Sequence, residues 1–176
     1  MDLLDFEAQG LYFEQQEPAG VKELLAYASE SYADGAAELP LLQAYFKAPE
    51  SLNVLVALNR FYYYQHRLDE ALAATMKALA VIRPMLAFPD DWRLLTLTHI
   101  ETTPSSLLTQ VRLYLFTLKA IGFLYMRLNQ LTLSQEIFEK LVALDEKNRI
   151  GAQALLDLVL HCQTELEQDM AKRGTA

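Results

Sequence analysis

The stretch Ser51–Pro84, SLNVLVALNRFYYYQHRLDEALAATMKALAVIRP, decides the fold. Leu55, Leu58 and Tyr62 recur at the three- and four-residue spacing that lines one face of a helix. The polar turn Gln65-His66-Arg67 interrupts this pattern, and helical periodicity resumes at once. Ala71 and Ala78, two turns apart, let a neighbouring helix approach closely, and Pro84 closes the segment. The spacing predicts two antiparallel helices joined by a tight turn.

The same pattern extends outward in both directions. In GAAELPLLQAYFKAPES (35–51), Ala37 and Ala44 each precede Ala71 and Ala78 by 34 residues, and Pro49 falls one residue short of the same register with Pro84. Downstream, LYLFTLKAIGFLYMRLNQLTLSQEIFEKLVALDEKN (113–148) places Ile121, Gly122 and Tyr125 on a first helix and Ser134 and Phe138 on a second. Ser134 lies 63 residues after Ala71, so the 34-residue spacing is broken by the insertion 85–103. Apolar periodicity, caps and the distribution of prolines predict helices over 3–15, 19–32, 35–47, 50–65, 68–84, 90–98, 104–129, 132–145 and 148–171. Thr103 before Pro104, Thr132 with Gln135, and Asn148 are the expected start signals of the last three. Alternating β-branched runs are absent, and the fold class is all-α.

These units resemble the tetratricopeptide repeat, a 34-residue antiparallel helix pair, with one good unit at 51–84 and degraded units at 21–50 and 113–148. Asn59 stands where that repeat has a small residue, and Thr75 where it has an aromatic. Leu141 replaces its usual alanine and Glu146 its usual proline. The resemblance implies a right-handed stack of antiparallel helix pairs, a TPR-like solenoid in which 148–171 is the C-terminal capping helix. Residues 19–176 then form a single helical-repeat domain, preceded by an acidic arm or short helix over 1–18.

Composition bounds the function. The chain has 176 residues with 52% hydrophobic and 22% charged, which excludes disorder as its overall state. Its net charge is −8 and its pI about 4.9, the wrong sign for bulk attraction to nucleic acid. Residues 1–50 hold ten acids and two bases, residues 51–130 eight bases and five acids, so the negative surplus is N-terminal. The opening MDLLDFEAQG is acidic where a targeting peptide is basic. Arg112, Lys119 and Arg127 interrupt the longest apolar run, so no membrane span is expected and the cytoplasm is the expected compartment.

No catalytic constellation emerges. The six glycines form no phosphate loop or nucleophile elbow, and His66, His99 and His161 lack metal-ligand spacing. The single cysteine, Cys162, supplies neither an internal disulfide nor a cysteine zinc site. No cofactor or metal is expected. The aromatic run Phe61-Tyr62-Tyr63-Tyr64 must turn at least one ring away from the core.

In solenoids resembling this chain, first helices line a concave groove that takes up peptides. That geometry implies a groove of Asn53, Val56, Arg60, Tyr63 and Tyr64 in one unit, and of Phe116, Lys119, Phe123, Met126 and Arg127 in the other. The competing reading packs these rings between helices. Some members of the family capture a terminal carboxylate through lysines and asparagines; Asn53 and Arg60 fit that face, while the valine and phenylalanines remove most of the set. The expected function is a non-catalytic adaptor or chaperone-like accessory factor binding a protein or peptide, an acidic one being the complement of the cations. Self-association into a homodimer is the alternative. A third reading is an all-α enzyme with a cavity lined by Trp92, His99 and tyrosines.

Overall fold

The computed structural model describes residues 17–32 and 36–174. The helix expected over 3–15, and all but the last two residues of the arm 1–18, lie outside them. Among the described residues the chain is all-α and contains no strand. It divides into two compact units at Ala87–Phe88, near the head of the insertion expected over 85–103.

The first unit contains α1 (Val21–Glu30), α2 (Glu38–Lys47), α3 (Leu52–Tyr64) and α4 (Leu68–Met85), each packed on its neighbour in the chain. Ala37, Ala44, Ala71 and Ala78, the small residues of the 34-residue spacing, are all buried. Leu55, Leu58 and Tyr62 are buried with them, as the period requires. Ser51 caps α3, its Oγ accepting the Val54 N–H at 3.2 Å.

The second unit contains a 3-10 turn (Trp92–Leu94), α5 (Leu97–Glu101), a second 3-10 turn (Ser105–Leu107), α6 (Leu108–Arg127), α7 (Leu131–Leu144) and α8 (Gln153–Gly174). Its core runs from α6 through α7 to α8. The segment ahead of α6 belongs to this core. Leu95 is fully buried, Phe88 packs edge-to-face on Tyr114 with centroids 5.1 Å apart, and Lys140 Nζ donates to the Leu95 carbonyl at 3.2 Å. By length and composition Ser105–Arg127 is apolar enough to cross a membrane, but 61% of its most apolar window is buried inside the protein, as in a core helix.

The hairpins α3–α4 and α6–α7 repeat each other at an offset of 63 residues. Each turn has a residue in the left-handed region, His66 (φ 57°) and Asn129 (φ 59°). In each, the next N–H reaches back to a tyrosine carbonyl, Arg67 to Tyr62 at 2.9 Å and Gln130 to Tyr125 at 2.8 Å. This is the Schellman closure, made here without glycine.

The slot between the helices is filled differently in the two hairpins. Gly122 faces Phe138, and a Cβ on Gly122 would lie 2.9 Å from both Phe138 Cε1 and Ile137 Cγ2. At the equivalent place Asn59 Nδ2 donates to the Ala71 carbonyl at 3.1 Å and to Thr75 Oγ1, while Thr75 Oγ1 donates to the same carbonyl at 2.7 Å. The two departures from the repeat pattern, Asn59 and Thr75, are therefore one compensated pair. An amide and a hydroxyl fill the space of a hydrogen and a phenyl ring, and each satisfies the other's polarity.

Three expected start signals read differently in the structure. The Asn129 turn begins α7 at Leu131, so Thr132 lies inside the helix, exposed, and no capping box with Gln135 forms. Thr103 Oγ1 donates back to the His99 carbonyl at 2.8 Å, and Pro104 (ψ 143°) stands outside the helical turn that follows it. Asn148 and Gly151 both take positive φ, which delays α8 to Gln153; the Asn148 side chain reaches the Gln153 N–H only at 3.4 Å.

Candidate functional site

The face expected to bind a partner lies on α3. Its four consecutive aromatics divide by helical geometry: Phe61 and Tyr62 are buried, Tyr63 is half-buried, and Tyr64 is 49% exposed. Tyr63 and Tyr64 meet edge-on with centroids 5.7 Å apart. Val56 and Arg60 are half-buried on the same face, two turns and one turn ahead of them. Asn53 is engaged within the chain. Its Nδ2 donates to the Glu17 carboxylate at 2.9 Å, and Ser51 Oγ donates to the same oxygen at 2.6 Å.

The end of α3 is held by charge. Arg67 stacks over the Tyr62 ring at 4.6 Å and pairs with Glu38 at 2.7 Å and Glu70 at 2.8 Å. Burial, followed by the negative charge of Glu38, raises the Tyr62 phenol above its ordinary range. The hydrogen bond from Arg67 lowers the Glu70 carboxyl. Tyr62 thus serves as a neutral packing ring, and the outward ring of this end is Tyr64.

The corresponding face of α6 differs from expectation at its centre. Lys119 is 3% exposed and presents no charge to a groove. Its Nζ donates to the Ile150 carbonyl at 2.5 Å and lies 5.9 Å from the centroid of the Phe116 ring. Asp145 takes the Ile150 N–H at 2.6 Å, so the two side chains grip both polar groups of one residue in the turn between α7 and α8. Burial lowers the Lys119 amine from its ordinary value of 10.5. Gly151, next in the chain, takes φ 69°, a conformation that favours glycine. Phe116, Phe123 and Met126 are half-buried, and Arg127 is exposed.

Sequence reasoning missed Glu17, because its partners lie 34 and 36 residues away, beyond α1 and α2. It also missed two open clefts in the first unit. One, of about 820 Å³, lies between the Ala48–Ser51 corner and the Lys77–Met85 end of α4. The other, of about 710 Å³, lies between α1 and α2 over Leu24 and Phe46.

The histidines have local roles. His99 Nδ1 accepts the Thr96 N–H at 3.1 Å and caps α5, His66 makes the α3–α4 turn, and His161 lies 3.4 Å from Glu165 on the exposed side of α8. Among the described residues no group of three His, Cys, Asp or Glu side chains is placed to hold a metal ion.

Fold and site together define an all-helical protein of paired hairpins, with an aromatic and cationic face on one first helix. The chain belongs to the family of a protein of Azotobacter chroococcum mcd 1 named "Uncharacterized 19.8 kDa protein in nifW 5'region". The two are 39% identical over 166 residues, which span 94% of this chain and 93% of that protein. No family model and no solved structure matches the chain.

Proposed function

We propose that this chain is a non-catalytic helical-repeat adaptor, or chaperone-like accessory factor, that grips an acidic segment of a partner protein on the outer face of α3. The observation that carries this reading is the arrangement of Val56, Arg60, Tyr63 and Tyr64. These four residues form one continuous stripe of apolar, aromatic and guanidinium surface that is left partly outside the core. Rigid aromatics give contact area at small entropic cost, and an arginine adds a fork for carboxylates. The buried alanines of the α2 and α4 segments at the 34-residue spacing, and the α3–α4 and α6–α7 hairpins that match at an offset of 63 residues, support a TPR-like reading of the helix pairs. The first partners to test are the products of genes beside this chain's own, since the relative's name places it in the 5' region of nifW.

The experiment is a pull-down from native extract with the wild type and the double variant Arg60→Ala/Tyr63→Ala, with helicity checked by circular dichroism. A folded double variant should lose the wild type's specific partner. An unchanged set of captured proteins overturns the reading.

A further inference from the structure

Glu17 is seated at the head of the α3 face. It is half-buried, and one oxygen of its carboxylate accepts Asn53 Nδ2 at 2.9 Å and Ser51 Oγ at 2.6 Å. The Pro18 carbonyl then accepts the Val21 N–H at 3.2 Å, and Gly20 turns the chain into α1 with φ 85°. The sixteen residues ahead of Glu17 are therefore tethered beside Asn53. From there Asn53, Val56, Arg60 and Tyr63 follow one another at three- and four-residue steps, a single row along α3.

We infer that residues 1–16 are the resident occupant of this face, an acidic and aromatic segment of the chain itself, which a partner must displace. The inference rests on the reading of α3 as a binding face and adds its regulation. Charge favours this occupant. Residues 1–16 hold Asp2, Asp5, Glu7 and Glu14 and no lysine or arginine, whereas α3 holds Arg60 and no acid. The other helices of the first unit each carry both signs. The cleft over Leu24 and Phe46 is flanked by Lys47 and Glu23, whose charges cancel. Leu4, Phe6, Leu11 and Phe13 supply apolar area to match Val56 and Tyr63. Length suffices as well, because Asn53 and Tyr64 lie about 16 Å apart along the helix axis and sixteen residues reach about 24 Å even at helical rise. A short tether gives an effective concentration of about 1 mM. An intrinsic dissociation constant of about 0.1 mM then leaves about one molecule in ten open, and a partner binds about tenfold more weakly than to the bare face.

The test uses the full chain with a nitroxide spin label at Gln9→Cys in a Cys162→Ser background, checked for unchanged helicity. Paramagnetic broadening should fall on the backbone amide signals of Val56, Arg60 and Tyr63. It should be lost when Asp2→Asn, Asp5→Asn, Glu7→Gln and Glu14→Gln are introduced together, substitutions that leave α3 itself unaltered. A synthetic peptide of residues 1–16 should shift the same signals, and should bind the neutralised chain about tenfold more tightly than the wild type. Broadening confined to Leu24 and Phe46, or reaching no helix, overturns the inference. So does broadening that falls only on an added spin-free copy, or a peptide that does not prefer the neutralised chain. None of these readouts involves an outside partner, so loss of this inference and loss of the adaptor reading are told apart.

Discussion

His66 spends its backbone in the left-handed region, where an L side chain costs about 1 kcal/mol and glycine nothing comparable. His66→Gly should therefore raise stability by about 1 kcal/mol, read as a higher urea midpoint with an unchanged slope. Lys119 gives a second prediction at this scale. Its folded-state affinity for a proton is below that of the unfolded chain, so between the lowered value and 10.5 the unfolded chain binds the additional proton. Stability must then rise with pH through that interval as the burial penalty is relieved. Lys119→Met should remove that component, leaving a flatter stability profile between neutral and alkaline pH than the wild type's. Equal slopes in the two proteins would refute the assignment. Neither residue's role could be read locally. A lysine seven residues from Arg112 and eight from Arg127 reads as part of a cationic stripe, and the carbonyl that buries it lies 31 residues further on, in an irregular turn.

The hairpin pair α3–α4 holds its register through Asn59 and Thr75, so these two residues should be energetically coupled. Replacing Asn59 by alanine leaves a cavity and removes one donor from the Ala71 carbonyl, at a cost of about 2 kcal/mol. In a double-mutant cycle of Asn59→Gly and Thr75→Phe, which transplants the α6–α7 solution, the double variant should be more stable than the two single losses sum to, by about 1–3 kcal/mol. Additivity within error would show that the slot is not shared. At this scale the sequence was most readable. Apolar periodicity located every described helix of ten residues or more, because burial of one face leaves a direct trace in residue order, whereas the helix expected over 90–98 is a 3-10 turn at Trp92–Leu94 followed by the short α5 at Leu97–Glu101. Starts were less readable, since α7 is fixed by the left-handed turn at Asn129 rather than by the Thr132 hydroxyl. On the candidate face, Val56, Arg60, Tyr63 and Tyr64 share one side of α3, as helical spacing requires. It could not foresee that Asn53 would be engaged by Glu17.

Taken whole, the molecule carries a net charge of −8, and in no long segment does positive charge dominate strongly. Retention on a polyanion resin such as heparin at moderate salt should be negligible; firm binding eluted only by high salt would contradict the exclusion of nucleic acid. The two differently filled hairpin slots have a consequence for assembly of the chain. α3 and α6 end in the same left-handed turn, so that each competes for the other's second helix during folding. Pairing α3 with α7 would drive the Asn59 amide into the Phe138 ring, and pairing α6 with α4 would leave Gly122 facing a void beside Thr75. Each first helix thus carries a password for its own partner, and the exchange of hairpins that endangers duplicated folds is rejected by shape and polarity at one position.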